Sequence, residues 1–225
     1  MANFTALKKQ IPNLLTLAGL MSALLGILAI HENKGDFVVI FFLLCLVFDF
    51  VDGFVARLLK ASSSLGKELD SLADVVSFGV FPSFYLYHYL ESENAEFWSY
   101  FALLVPLFAA YRLAKFNLDT EQTQSFKGLP TPAAAIFFIG LPHTFDYFSL
   151  EILWPIYMII LLVCWLMVSN VGLIALKFKG TSFTDNWSRY LLIIGSLLLL
   201  LVFQKYASSV VIGFYLILSI LAKGK

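Results

Sequence analysis

Four aspartates in a largely apolar chain are the residues best placed to do chemistry. Asp49 and Asp52 stand at i, i+3, and Asp70 and Asp74 at i, i+4, so on helices each pair projects from a single face. Left unpaired at a bilayer centre, each carboxylate would cost about 2.5–3.5 kcal/mol. Four of them close together also repel one another, so a cation must sit among them. An all-oxygen set of hard ligands suits Mg²⁺, Mn²⁺ or Ca²⁺ better than zinc or copper, and Mg²⁺ commonly binds carboxylates together with substrate phosphates. The residues between the aspartates fit that use. At about 100° per residue, Gly53 and Ala56 fall on the stripe of Asp49 and Asp52, and Gly66, if helical, falls a turn below Asp70. Small residues there clear a slot for a ligand, and Arg57 supplies a planar fork suited to a phosphate. Simple pairing of the aspartates with Arg57, Lys60 and Lys67 would account for the charges but not for the glycines.

These side chains must be held by membrane helices. The chain is 60% hydrophobic and 13% charged with a formal net charge of zero, which excludes an ordinary soluble domain and gives no sign of nucleic-acid binding. Apolar runs between polar breaks predict spans near residues 12–30, 37–59, 70–90, 97–117, 130–148, 152–176, 188–203 and 206–222. The fold class expected is therefore an all-α integral membrane protein, a polytopic bundle with a six-helix core and two further C-terminal hydrophobic helices within 188–222. Those two runs are short: about 16 residues cover roughly 24 Å of a ~30 Å hydrocarbon core, leaving open whether both cross fully.

Placing alternate loops on one side gathers 13 Lys and Arg residues there against Lys34 and Lys205 on the other, which predicts that both termini and the aspartates face the cytoplasm. The opposite loops carry Glu32, Asp36, Glu91, Glu93, Glu96, Asp146 and Glu151. Lys8-Lys9 ahead of the first span reads as a signal anchor, with no small-residue cleavage pattern before His31. Cys45 and Cys164 fall inside spans and read as small buried hydrophobes. His31, His88 and His143 fall at span ends, and the aromatic residues read as lipid-facing and belt residues. Without internal repeats or low-complexity segments, residues 1–225 are expected to form one membrane domain.

Written as a pattern, residues 49–74 read D-x-x-D-G-x-x-A-R-x8-G-x-x-x-D-x-x-x-D. This resembles the signature of the CDP-alcohol phosphotransferase family at all eight fixed positions, Asp49, Asp52, Gly53, Ala56, Arg57, Gly66, Asp70 and Asp74. Such a match arises by chance on the order of once in 10¹⁰ windows at equal residue frequencies. The resemblance implies two divalent ions, Mg²⁺ or Mn²⁺, held by Asp49, Asp52, Asp70 and Asp74, with Asp74 also the general base. It implies nucleotide contacts from Gly53, Ala56, Arg57 and Gly66. Residues 11–16, IPNLLT, are similar to the family's P-N-x-x-T pattern, which implies that Asn13 and Thr16 help seat the cytidine nucleotide. From the residues alone, Pro12 in a first helical turn with Asn13 and Thr16 capping remains an alternative. Ser63 is implied as a further nucleotide contact, against a plain Ser62-Ser63-Ser64 linker.

Two more segments narrow the resemblance. DSLADVVSFGVFPS, residues 70–83, and YRLAKFNLDTEQTQSFKGLPTPAAA, residues 111–135, are similar to the bacterial and archaeal phosphatidylserine synthase branch, the CDP-diacylglycerol–serine O-phosphatidyltransferases. The expected reaction joins CDP-diacylglycerol and L-serine to give phosphatidylserine and CMP. A serine zwitterion needs a cation for its carboxylate, and Arg112 offers a bidentate clamp, with Asn117 and Lys127 as further contacts. Topology alone is the competing role for Arg112, Lys115 and Lys127. Membrane lipids and a second copy of the chain, as a homodimer, are the other expected partners. Glycerol 3-phosphate or an inositol phosphate remains an alternative acceptor, as in phosphatidylglycerophosphate or phosphatidylinositol-phosphate synthases. An intramembrane cation or proton pathway in a transporter is the alternative of a different class.

Overall fold

A computed structural model describes residues 2–118, 128–149, 153–174 and 183–222. Among the described residues every regular element is helical, as the long apolar runs require where backbone polar groups must be satisfied within the segment. Helices α1 (Ala2–His31) and α2 (Gly35–Leu58) form a hairpin whose turn sets Asn33 at φ 58°. Pro12 lies inside α1 and not in its first turn. The polar residues before it continue the helix, so the capping role open to Asn13 and Thr16 is excluded by position.

Helix α3 (Ser64–Asp74) runs without a break through a π-helical turn, Val75–Val80, into α4 (Phe81–Ser92). The rod predicted for 70–90 thus starts at Ser64, and Gly66 is helical. The wide turn begins directly after Asp74, where the Phe81 N–H donates to the Val76 carbonyl five residues back and Pro82 has no N–H to give. A 3₁₀ stretch, Glu96–Leu103, feeds α5 (Leu104–Leu118), followed by α6 (Thr131–Tyr147) and α7 (Trp154–Val168). Last come α8 (Phe183–Phe203), a 3₁₀ turn Gln204–Tyr206, and α9 (Ala207–Ala222). These are the six core rods and the two C-terminal ones.

Two boundaries differ from the expected spans. Helix α7 stops at Val168, well short of 176. Its terminal carbonyls are taken by distant residues: Lys115 Nζ donates to Val168 O at 3.3 Å and Leu129 N–H to Leu166 O at 3.0 Å, doing the work of a C-cap. Gly128 sits beside them at φ 75°, where an added Cβ would lie 2.7 Å from the Met167 carbonyl, so only glycine fits. Helix α8 starts earlier than expected, and its 21 residues reach about 31 Å, enough to cross. Among the described residues, four helices are long and apolar enough to span, at Gln10–His31, Gly35–Leu58, Glu96–Leu118 and Asn186–Phe203, with Trp154–Val168 and Ala207–Leu221 shorter.

Two cores hold the rods in register. Ala23, Phe42, Phe78, Phe81 and Ala135 join α1, α2, the π turn and α6. Leu86, Val105, Leu129, Phe138, Ile160 and Met167 join α4 to α7 through the segment before α6. Gly26 lets the Phe81 ring lie against α1, where an added Cβ would fall 2.1 Å from it. Helix α9 seats on α6 where Gly140 meets Ser208 and Ser209, the small-residue contact by which membrane helices approach closely. Cys45 and Cys164 are buried and free. His88 bonds Asn33 at 2.9 Å and His143 bonds Tyr85 at 3.0 Å, tying the helix ends remote from the aspartates.

Candidate active site

Helices α2 and α3 present the aspartates to each other as the i, i+3 and i, i+4 spacing requires. One carboxylate oxygen from each of Asp49, Asp70 and Asp74 lies within 4.8 Å of the others, and Asp49 and Asp74 are within hydrogen-bonding reach. Asp52 is set apart from this trio. It is 5% exposed and accepts a hydrogen bond from Thr16 Oγ1 on α1 at 2.5 Å. None of the described lysines or arginines lies at ion-pair distance from the trio. Three partly buried carboxylates without a basic partner are a donor set that fits a hard divalent cation, and Asp52 borders the same space.

All four aspartates line one small cavity together with Thr16, Gly19, Cys45, Ala73, Ser77 and Phe78. Asp52, Asp70 and Thr16 also line a cleft of about 520 Å³. That cleft runs between α1, α2 and α3 and, with Thr16, gathers every residue the sequence proposed for a nucleotide: Asn13, Gly53, Ala56, Arg57, Ser63 and Gly66. Pro12, Ala61, Ser62, Ser64 and Lys67 complete its wall. The cleft therefore opens directly onto the carboxylates.

The two motif glycines turn out to act differently. An added Cβ on Gly53 would meet nothing nearer than Arg57 Nη1 at 3.7 Å, so packing does not demand glycine there and the open space belongs to the cleft. On Gly66 the Cβ would lie 3.0 Å from Asn13 Oδ1 and 3.1 Å from Ser63 Oγ, so this glycine lets α3 close on α1. Ser63 is the N-cap of α3, its hydroxyl accepting from the Gly66 N–H at 3.0 Å. It is part of the cleft wall and not a slack linker. Asn13 donates to Gln10 Oε1 at 3.3 Å.

On the far side of the aspartates stands Arg112 of α5, 9% exposed. Its Nη1 donates to Thr131 Oγ1 at 2.9 Å, and its buried Nε has no hydrogen-bond partner. The guanidinium interacts electrostatically with Asp74 without reaching ion-pair distance. Asn117, expected beside an acceptor, donates its side-chain amide to Ser71 Oγ at 2.8 Å, while its backbone carbonyl accepts from Lys67 Nζ at 3.2 Å. It clasps the end of α5 to α3, one residue from Asp70. Lys127 lies outside the described residues. Sequence reasoning missed Thr131 and Ser71, whose partners stand 19 and 46 residues away.

Comparison with known proteins agrees with this geometry. Residues 9–169 match the CDP-alcohol phosphatidyltransferase family. A CDP-diacylglycerol–serine O-phosphatidyltransferase of Helicobacter pylori is 34% identical over 221 residues, covering 93% of this chain and 89% of its own. Proteins of the same name are 33% identical over 142 residues in Bacillus subtilis, covering 63% of this chain and 80% of that one, and 39% identical over 121 residues in Methanocaldococcus jannaschii, covering 54% and 56%. With its signature aspartates facing one another beneath a cleft, and the match running through α1 to α7, this chain belongs to the CDP-alcohol phosphatidyltransferase family.

Proposed function

We propose that the chain transfers the phosphatidyl group of CDP-diacylglycerol to the hydroxyl of L-serine, giving phosphatidylserine and CMP. The observation that carries this reading is the shared wall: Asp52 and Asp70 border both the 520 Å³ cleft and the small aspartate cavity. A nucleotide in the cleft therefore has its diphosphate beside the carboxylates. The names borne by the relatives and the buried Arg112 support serine as the acceptor.

The family depends on divalent metal, and an acidic cluster is present here. Mg²⁺ or Mn²⁺, two ions as the signature implies, would be held by Asp49, Asp70 and Asp74 with Asp52. Bound there, they supply charge stabilisation for the diphosphate and the CMP leaving group. Asn13, Thr16, Gly53, Ala56, Arg57, Ser63 and Gly66 seat the nucleotide, with the Arg57 fork on phosphate. Arg112 takes the serine carboxylate. Asp74 accepts the proton of the serine hydroxyl, whose oxygen bonds to the diacylglycerol-bearing phosphorus as the bond from that phosphorus to the CMP oxygen breaks.

Residues 1–225 act as one membrane domain, with α9 fastened to α6 in support. Both termini and the cleft face the cytoplasm, a placement supported by the 13-to-2 division of Lys and Arg. Pairing of two chains rests on the family resemblance.

Purified protein should release CMP from CDP-diacylglycerol when serine is present, and far less with glycerol 3-phosphate or an inositol phosphate. Faster release with a phosphorylated acceptor would move the chain to another branch of the family, and no release with any acceptor would refute the transferase reading.

A further inference from the structure

We propose that Thr131 is a positioning residue that sets the edge of the Arg112 guanidinium presented to the acceptor's carboxylate. The proposal rests on the assignment of Arg112 to that carboxylate. Thr131 is the first residue of α6 and is 0% exposed. Its hydroxyl oxygen accepts from Arg112 Nη1 at 2.9 Å. Nη1 is the guanidinium nitrogen on the Cδ side, so tying it stops the planar group from turning about its stem. The opposite edge, Nε and Nη2, is then held in one direction. Those two N–H groups are parallel and spaced to meet both oxygens of one carboxylate.

The state of Nε supports this assignment. It is buried without a hydrogen-bond partner, and buried donors are rarely left so. A helix tie that used Arg112 only to join α5 to α6 would need Nη1 and would leave Nε as an unrelieved cost. A carboxylate arriving on the Nε and Nη2 edge pairs the orphan donor and neutralises the guanidinium in one step. The guanidinium also interacts electrostatically with Asp74, the base that must take the hydroxyl proton. An amino acid whose carboxylate and hydroxyl are joined by two carbons fits the two demands together.

The test separates positioning from packing. Thr131→Val keeps the shape and removes the acceptor, while Thr131→Ser keeps the acceptor. Thr131→Val should lower kcat/KM for serine about tenfold, mostly through KM, with the KM for CDP-diacylglycerol unchanged. Thr131→Ser should stay within about twofold of wild type. Serinol, which has the hydroxyl and ammonium but no carboxylate, should be used equally by wild type and Thr131→Val. Combined with Arg112→Lys, Thr131→Val should add no further loss, because the residue it positions is already gone. If valine is not accommodated, Thr131→Ala removes the same oxygen without adding bulk and carries the same comparison. Equal losses with serine and serinol would reduce Thr131 to a packing residue. Serine kinetics altered by Arg112→Lys but untouched at Thr131 would overturn the positioning role alone, and no effect of Arg112→Lys would remove the clamp itself.

Discussion

The two flanks of the aspartates are built in opposite ways. Toward α1, α2 and α3 the wall is open and small-featured: an added Cβ on Gly53 would meet nothing nearer than Arg57 Nη1 at 3.7 Å, Arg57 is exposed, and the cleft holds about 520 Å³. Toward α5, α6 and α7 the structure is dense. Arg112 and Thr131 are buried, Lys115 is committed to the end of α7, and the void between Arg112, Lys115 and the end of α7 is about 20 Å³, room for roughly one water. A nucleotide diphosphate can enter the first flank as it stands. The second offers a buried guanidinium and little volume, so a small polar acceptor proposed there would be held by charge and direction more than by space. On the proposed assignment, donor and acceptor are told apart by space on one side and by a fixed guanidinium on the other.

The strongest way to break that comparison is to attack what the two flanks share. Asp70 borders both the cleft and the small cavity of the four aspartates, so Asp70→Asn should cut turnover at least ~100-fold while the protein still inserts and purifies. Asp74→Asn should cost about 10²–10⁴-fold in kcat, yet weaken CDP-diacylglycerol binding less than Asp49→Asn does. Chelation should abolish activity, and Mg²⁺ or Mn²⁺ should restore it. Full turnover in metal-free buffer would sink the ion-binding role of the trio, and substantial turnover by Asp74→Asn would require another base.

Next in size is an exchange of arginines across the divide. Arg112→Lys replaces a bidentate fork by a point charge and should cost about 10- to 150-fold in serine efficiency, leaving the KM for CDP-diacylglycerol nearly unchanged. Arg57→Lys, on the open flank, should do the reverse and raise the KM for CDP-diacylglycerol with serine unaffected. Steady-state kinetics with each substrate varied in turn gives both results. If both variants shifted the same KM, the two flanks would serve one ligand.

The same divide governs what the sequence discloses. The open flank was legible because all of its residues but Pro12, Asn13 and Thr16 lie within 49–74, and charge in an apolar run is conspicuous. The Thr16–Asp52 bond was not, since its hydroxyl lies 36 residues away on α1. Nor was the dense flank, where pairing joins separate helices: Thr131 before a proline reads as a helix start, and nothing local ties it to Arg112. Helix α7 was overextended to 176 for the same reason. Its apolar run continues, and the groups that end it, Lys115 and Leu129, are far off in the chain. Pro12 misled in the opposite direction, because the polar residues before it form helix outside the apolar stretch.

The smallest expected effect tests whether the dense flank also fixes the shared aspartates. Asn117 donates to Ser71 on α3, one residue from Asp70, and its backbone carbonyl takes Lys67 Nζ. Helix α5 thus carries both the Arg112 guanidinium and the clasp that holds α3 in register with it. Asn117→Ala removes one neutral hydrogen bond, worth about 0.5–1.5 kcal/mol, and should lower kcat roughly 2- to 10-fold while both KM values stay near wild type. Ser71→Ala should match it, and the double variant should be no worse than either alone, since both remove the same contact. If Asn117 bound serine directly, its loss would instead raise the KM for serine and leave Ser71→Ala unaffected, so the pair of variants decides between clasp and ligand.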